Sequence, residues 1–146
     1  MINIKIKDII TPAPRCISPD ASLVEAAMEM KALDVGILPI CENNRLIGTV
    51  TDRDITIRAV AEGYDPNICT VRQVMSRVVI YCFDDQDIWN AARMMETNKI
   101  RRLPILNRNE HLVGMVSLGD LAVRTGMENM AARILGRISE ATRQTA

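Results

Sequence analysis

This chain is nearly devoid of aromatic residues. Tyr64, Tyr81, Phe83 and Trp89 are its only rings in 146 residues. The core must therefore be aliphatic, built from Ile, Leu, Val, Ala and Met. Net charge is also missing, with 18 Lys and Arg against 18 Asp and Glu. That balance lacks the broad basic footprint of a nucleic-acid binder. No apolar run approaches the roughly 20 residues of a membrane span. The opening MINIKIKDII alternates polar and apolar residues and has no apolar core of a secretion signal. These absences predict a cytoplasmic protein with neither nucleic acid nor membrane as partner.

Metal and catalytic chemistry are equally thin. The single His111 and the four cysteines, none spaced as CxxC, cannot complete a zinc set. No GxxxxGK[ST], HExxH or GxSxG motif is present. His111 reads as a solvated turn residue, and Asp84, Asp85 and Asp87 as a turn and helix-cap run. No enzyme activity is expected. Cysteines in a cytosolic chain are usually reduced, small apolar residues. Cys16 and Cys41, however, fall on two predicted strands, and if those strands are neighbours a disulfide or redox role follows.

What the chain does have is one unit written twice. LPICENNRLIGTVTDRDI and LPILNRNEHLVGMVSLGDL share an apolar-Pro-apolar step, a polar turn and an apolar run with one Gly. A hydroxyl residue follows, and an Asp stands three positions after it. Gly48 and Gly114, Thr51 and Ser117, and Asp54 and Asp120 keep one constant offset. Leu38 and Leu103 stand one position closer, so the second turn carries an extra residue. Duplication of this length points to two copies packed on each other.

Each copy reads strand, helix, strand, strand, helix, giving an α/β fold. In the first copy these are residues 15–17, a helix opened by Ser22 with a stripe of Ala26, Ala27, Met30 and Leu33, a hairpin of 37–41 and 46–50, and a helix from Thr51 to about Ala61. In the second they are a strand over 78–83, the helix IWNAARMMETN, a hairpin of 100–106 and 112–116, and a helix from Ser117. Met28, Met30, Met94 and Met95 stand at core spacing. The domain reading is 1–62 for repeat 1, 63–69 for a linker, 70–126 for repeat 2, and 127–146 for a C-terminal helix. That last helix either docks on its own domain or makes a subunit contact.

The two helix starts, Thr51 to Asp54 and Ser117 to Asp120, allow two readings. One is a capping box, with the hydroxyl at the N-cap and the acid three residues on. The other is an anion and sugar site: free N–H groups suit a phosphate, and an Asp can accept from two ribose hydroxyls. Gly48 and Gly114 thin the strands and permit close backbone approach. Arg101 and Arg102 open the second hairpin where repeat 1 has Gly36 and Ile37. They either seek an anionic partner or lie along the surface, paired with Glu96 or Asp120.

The pattern LP[IV]…G-x-[VI]-[TS]-x-x-D, twice over, resembles a tandem pair of cystathionine-β-synthase (CBS) domains, from Ile6 to about Thr125. DASLVEAAMEM, DVGILPI and GTVTDRDI fit the family in repeat 1; QDIWNAARMME, KIRRLPI and GMVSLGDL fit it in repeat 2. TDRDITIRAVAEGYDPN resembles stand-alone bacterial members of the hypoxia-response type. The resemblance implies two β-α-β-β-α repeats related by a pseudo-two-fold, with two clefts between them. It further implies a regulatory module that senses AMP, ADP, ATP, NAD or S-adenosylmethionine, with no obligate cofactor. Asp54 and Asp120 would hold ribose hydroxyls; Thr51 and Ser117, phosphate or ribose oxygens; Arg101 and Arg102, phosphates. Ile17 and Cys82 would meet adenine through backbone groups. Repeat 1 has Ile37 in place of a basic residue, with Arg53 as partial compensation, so the cleft of Asp120 should take the more highly charged ligand. A homodimer acting on an effector protein is the implied assembly. A ligand-free interaction or redox scaffold using Cys16 and Cys41 is the alternative.

Overall fold

The computed structural model describes residues 3–12, 15–77 and 80–145. Two compact units emerge: Pro14–Val79, and Met1–Ala13 together with Ile80–Ala146. Both are mixed α/β.

In the Pro14–Val79 unit, helix α1 (Leu23–Leu33) starts at Ser22, whose hydroxyl accepts from the Glu25 amide. It ends on Asp34 in the left-handed conformation. Strands β2 (Ile37–Glu42) and β3 (Arg45–Thr51) form an antiparallel hairpin. Asn43 and Asn44 both take positive φ, as a two-residue hairpin turn demands. Helix α2 (Asp52–Ile55) follows β3 directly and continues as a π-turn, Thr56–Val60. Helix α3 (Val71–Val74) closes the unit. Its core is Leu23, Ala26, Met30, Leu38, Ile40, Val50, Ala59, Val71 and Val74.

In the other unit, β1 (Thr11–Pro12), β6 (Leu112–Ser117), β5 (Arg102–Leu106) and β4 (Cys82–Phe83) lie side by side in that order. β4 runs parallel to β5, and the other neighbours are antiparallel. Helices α4 (Ile88–Asn98), α5 (Leu118–Thr125) and α6 (Glu128–Thr145) cover the sheet with Ile88, Ala91, Met95, Leu121, Ala131 and Ile134. The register of both hairpins slips at the same point, after Ile40 and after Ile105, opposite Gly48 and Gly114.

The compact units are offset from the sequence repeats. Thr11 and Pro12, in the lead-in of repeat 1, pair with β6 of repeat 2, Thr11 facing Met115 and Pro12 facing Gly114. Ser76, in the lead-in of repeat 2, pairs with β3 of repeat 1, where Thr49 and Ser76 exchange both backbone hydrogen bonds. The glycines explain the exchange. A Cβ on Gly48 would lie 2.5 Å from the Ser76 carbonyl, and one on Gly114 would lie 2.9 Å from that of Thr11. The close approach expected at these glycines is thus made by the lead-in segments.

Smaller expectations also change. α1 buries Leu23, Ala26 and Met30, while Ala27 and Leu33 face outward and Met28 is 65% exposed. The helical phase is set by the first apolar residue after the cap. Residues 15–17 make a single parallel bridge, Ile17 to Ile40, instead of a strand. Of the strand expected over 78–83 only Cys82–Phe83 forms, and residues 78 and 79 lie outside the described residues. The C-terminal helix docks on its own unit, burying Ala131, Ile134 and Ile138.

Candidate ligand-binding site

A pocket of about 410 Å³ opens over the start of α5. Arg101 and Arg102 line it from the head of β5, Ser117, Leu118 and Gly119 from the strand-to-helix corner, and Glu128, Ala131 and Leu135 from α6. Its size suits a small organic ligand. Among the described residues no ion pair or side-chain hydrogen bond engages either guanidinium.

The corner is a closed capping box. The Ser117 hydroxyl accepts from the Asp120 amide at 3.0 Å, and Asp120 Oδ2 accepts from the Ser117 amide at 2.9 Å. The Leu118 amide donates to the Arg101 carbonyl at 2.8 Å. Gly119 leaves room at this corner: a Cβ there would meet only Ser117 Oγ, at 3.5 Å. Two guanidinium groups without an ion pair beside a helix start give the pocket a positive rim.

The corner of β3 and α2 repeats the box. Thr51 Oγ1 accepts from the Asp54 amide at 3.0 Å, and Asp54 Oδ2 from the Thr51 amide at 2.9 Å. The Asp52 amide donates to the Gly36 carbonyl at 2.9 Å. Here, however, the Arg53 amide, the counterpart of Gly119, donates to Asp52 Oδ1 at 2.8 Å.

Both aspartates are therefore folded onto their own helix starts, and the capping reading is correct for both. Each keeps its second oxygen turned to an arginine one turn on. Asp54 Oδ1 lies 3.8 Å from Arg58, and Asp120 Oδ1 lies 3.9 Å from Arg124. Those arginines donate to paired backbone carbonyls of the lead-in segments: Arg58 to Val74 and Met75, Arg124 to Ile9 and Ile10. The Asp54 and Asp120 side chains stay 16% and 22% exposed.

Of the sequence candidates, Arg101, Arg102 and Ser117 share one pocket, with Asp120 bonded to its Ser117 edge. Ile37 faces Thr51 across the other hairpin, with Arg53 and Asp54 on the helix that follows. Ile17 lines a second cavity, of about 470 Å³, with Arg15, Cys16, Glu25 and Glu29. Its amide and carbonyl are both bonded to β2, to Pro39 and Cys41, so neither is left single for a base edge. Cys82 is buried in its core, where desolvation pushes its thiol up to about 11. Cys16 and Cys41 are joined as a disulfide, with Cα atoms 5.6 Å apart. Sequence reasoning missed Asp52, the Arg58 and Arg124 struts, and the wall given by α6. The constant offset between Arg58 and Arg124 was a usable signal; nothing local in the sequence marks the α6 wall.

The CBS domain family matches the chain twice, over residues 6–60 and 71–124. The CBS domain-containing protein YhcV of Bacillus subtilis is 39% identical over 134 residues, 92% of this chain and 94% of that protein. A crystal structure of Hypoxic Response Protein I with two coordinated zinc ions superposes with a TM-score of 0.74 at 34% identity, over 81% of this chain and 96% of that one. Among the described residues here, no three His, Cys, Asp or Glu side chains gather to hold a metal. A CBS domain pair in complex with 5′-methylthioadenosine and S-adenosyl-L-methionine superposes with a TM-score of 0.72 at 26% identity, over 87% of this chain and 99% of that one.

Proposed function

We propose a regulatory, ligand-sensing role for this chain, which belongs to the CBS-domain family and carries two of its domains in tandem. The ligand is an adenosine compound: AMP, ADP or ATP, with NAD and S-adenosylmethionine in the same class. The observation that carries this reading is the pocket at the start of α5, with two unpaired arginines beside Ser117. The adenosine-type ligands of the 26% identical CBS pair support it. Phosphate sits against Arg101, Arg102 and the Gly119 amide. Asp120 takes ribose hydroxyls on lone pairs its capping bond leaves over, since a carboxylate has about four acceptor sites. Thr51, Asp54, Ile37 and Arg53 form the weaker counterpart in repeat 1.

The chain performs no chemistry of its own. Binding acts by favouring one conformation through differential affinity, and the output passes through a homodimer to an effector protein in the cytoplasm. Thermal unfolding with each adenosine compound tests the reading. A true ligand at a hundredfold over its Kd raises stability by about 2.7 kcal/mol. Replacing Arg101 and Arg102 together with Ala should weaken nucleotides far more than adenosine. Unchanged melting with every compound would remove the reading.

The Cys16–Cys41 disulfide favours a second reading, a redox-responsive scaffold. That reading gains if melting responds to reductant and to no adenosine compound.

A further inference from the structure

The second cavity, of about 470 Å³, has a reactive bond in its wall. Cys16 lines it and is exposed, while Cys41 stands on β2 outside the lining and is half-buried. An incoming group in the cavity therefore reaches the disulfide at the Cys16 sulfur. The segment that carries Cys16 is lightly held. Ile17 makes one bridge to β2, its carbonyl accepting from the Cys41 amide at 3.1 Å and its amide donating to the Pro39 carbonyl at 3.0 Å. Charge and apolar surface share the rest of the wall. Glu25 and Glu29 lie one turn apart on α1 and face the cavity together. Glu29 takes the Arg15 guanidinium on both oxygens, at 3.1 and 3.3 Å. The Glu25 carboxylate has no ion pair or hydrogen bond among the described residues. Ala21 and Met28 supply apolar surface. The wall thus carries one uncompensated negative charge in the same cavity as a disulfide sulfur. Repeat 2 has Tyr81 and Leu106 at the places of Cys16 and Cys41, and the remaining cysteines, Cys69 and Cys82, are buried.

We infer that this cavity is a docking and exchange site for small aminothiols, with the ammonium at Glu25 and the thiol at Cys16. This rests on the redox reading above and deepens it by naming the class of reductant and the sulfur it attacks. The cavity has the size of a small-molecule site. The step is thiol–disulfide exchange. The aminothiol loses its proton to solvent, and its thiolate attacks the Cys16 sulfur. A new S–S bond forms there and the Cys16–Cys41 bond breaks. Cys41 leaves with the electron pair and takes a proton from solvent. A second aminothiol attacking the sulfur of the bound one then releases a small disulfide and leaves both cysteines as thiols. Charge sets the choice of thiol. The attacking thiolate is already negative, so a further anionic group on the ligand is repelled by Glu25, whereas an ammonium is drawn to it. One such contact at about 4 Å in water changes a rate about fivefold.

The test is the rate at which the full, oxidised chain is reduced by three thiols that differ in charge: cysteamine, 2-mercaptoethanol and 2-mercaptoethanesulfonate. Each rate in Glu25→Gln is divided by the wild-type rate with the same thiol, so the intrinsic reactivity of the thiol cancels. The ratio should fall about fivefold for cysteamine, stay near one for mercaptoethanol and rise for the sulfonate. Glu25→Lys should widen both changes, and added salt should shrink them. Quenching with an alkylating agent and mapping the peptides by mass should place the cysteamine adduct on Cys16 and the alkyl group on Cys41. Glu25 is exposed, and melting of the oxidised variants equal to that of the wild type establishes their folding. Ratios equal for all three thiols, or an adduct that maps to Cys41, overturn the inference. Melting that responds to reductant while the ratios stay equal keeps the redox reading and removes the cavity site. Melting that ignores reductant removes the redox reading, and the ratios and the adduct map still decide the site.

Discussion

Repeat 1 and repeat 2 share a backbone but diverge where that backbone meets a ligand or another sulfur. Hairpin register, bulge position, capping boxes and the arginine struts of Arg58 and Arg124 are the same in both. The differences are few. Asp52 stands against Leu118, Gly36 against Arg101, and the disulfide pair Cys16 and Cys41 against Tyr81 and Leu106. The two cavities lie at different places in their repeats, one at the start of α5 and the other beside α1. One is lined by two arginines and one glutamate, the other by one arginine and two glutamates. Positions that hold the fold are doubled because both copies must solve the same packing problem. Positions that face a partner are free to diverge, so divergence between the copies marks function more sharply than any single motif.

The largest expected effect exploits the sulfur difference. Cys16–Cys41 closes a loop with a sequence separation of 25, so its reduction should cost about 3 kcal/mol by the loop-entropy estimate. Cys82 pairs with Ile105 as Ile17 pairs with Ile40, so the places of Cys16 and Cys41 are taken in repeat 2 by Tyr81 and Leu106, and no disulfide forms there. Hydrogen exchange with and without reductant should show protection lost in α1 and β2 and kept in β4 and β5. Tyr81→Cys combined with Leu106→Cys should then make β4 and β5 respond too. Equal loss in both regions of the wild type would break the comparison.

Next come the glycines. Gly48→Ala and Gly114→Ala should each destabilise by about 2 kcal/mol through overpacking against the lead-in segments. Gly48→Ala should be the more severe, because the atom it meets at 2.5 Å is a backbone carbonyl that cannot rotate away. Urea melts of the two variants decide the order.

These glycines also show how far the sequence could be read. Their spacing, the hairpins, the two long helices and the capping corners were all legible, because each rests on local chemistry repeated at one offset. The exchange of lead-in segments was not. Residues 6–12 and 71–76 carry the same apolar pattern, so either would fit either hairpin, and the choice depends on three-dimensional closure. The site was legible in part. Arg101, Arg102 and Ser117 were found by comparing copies. Asp52 was set aside as a partner of Asp54 because residues two apart on a helix point apart, and its bond to the Arg53 amide is visible only in three dimensions.

A smaller effect tests the corners themselves. Thr51→Ala and Ser117→Ala each remove one capping acceptor and should each cost about 1 kcal/mol. If the corners are structurally equal, as the matching 3.0 Å bonds imply, the two losses should agree. Nucleotide affinity should separate them: Ser117→Ala weakens binding at the arginine-lined pocket, and Thr51→Ala leaves it untouched. Calorimetric titration beside chemical melts measures both quantities.

The smallest effect comes from the extra residue in the second turn. It belongs to the turn that puts Arg108 in a two-point ion pair with Asp85, both bonds 2.8 Å, and over the Phe83 ring at 4.1 Å. Repeat 1 has the shorter Asn43–Asn44 turn and instead braces its hairpin end with Arg72, from α3, between Asp20 and Glu42. The hydrogen bond from Arg108 holds the Asp85 carboxyl below its ordinary value. A depressed carboxyl contributes stability that is fully present above its unfolded pKa, near 4, and is lost as pH falls through the folded value. The group is exposed, so solvent screens the gain. Wild-type melting should therefore drop slightly faster below about pH 4 than that of Asp85→Asn, and the two should run parallel above pH 6. Since each arginine braces only its own hairpin, Asp85→Asn should leave exchange protection in β2 and β3 unchanged; a change there would mean that the two copies are not independent in stability.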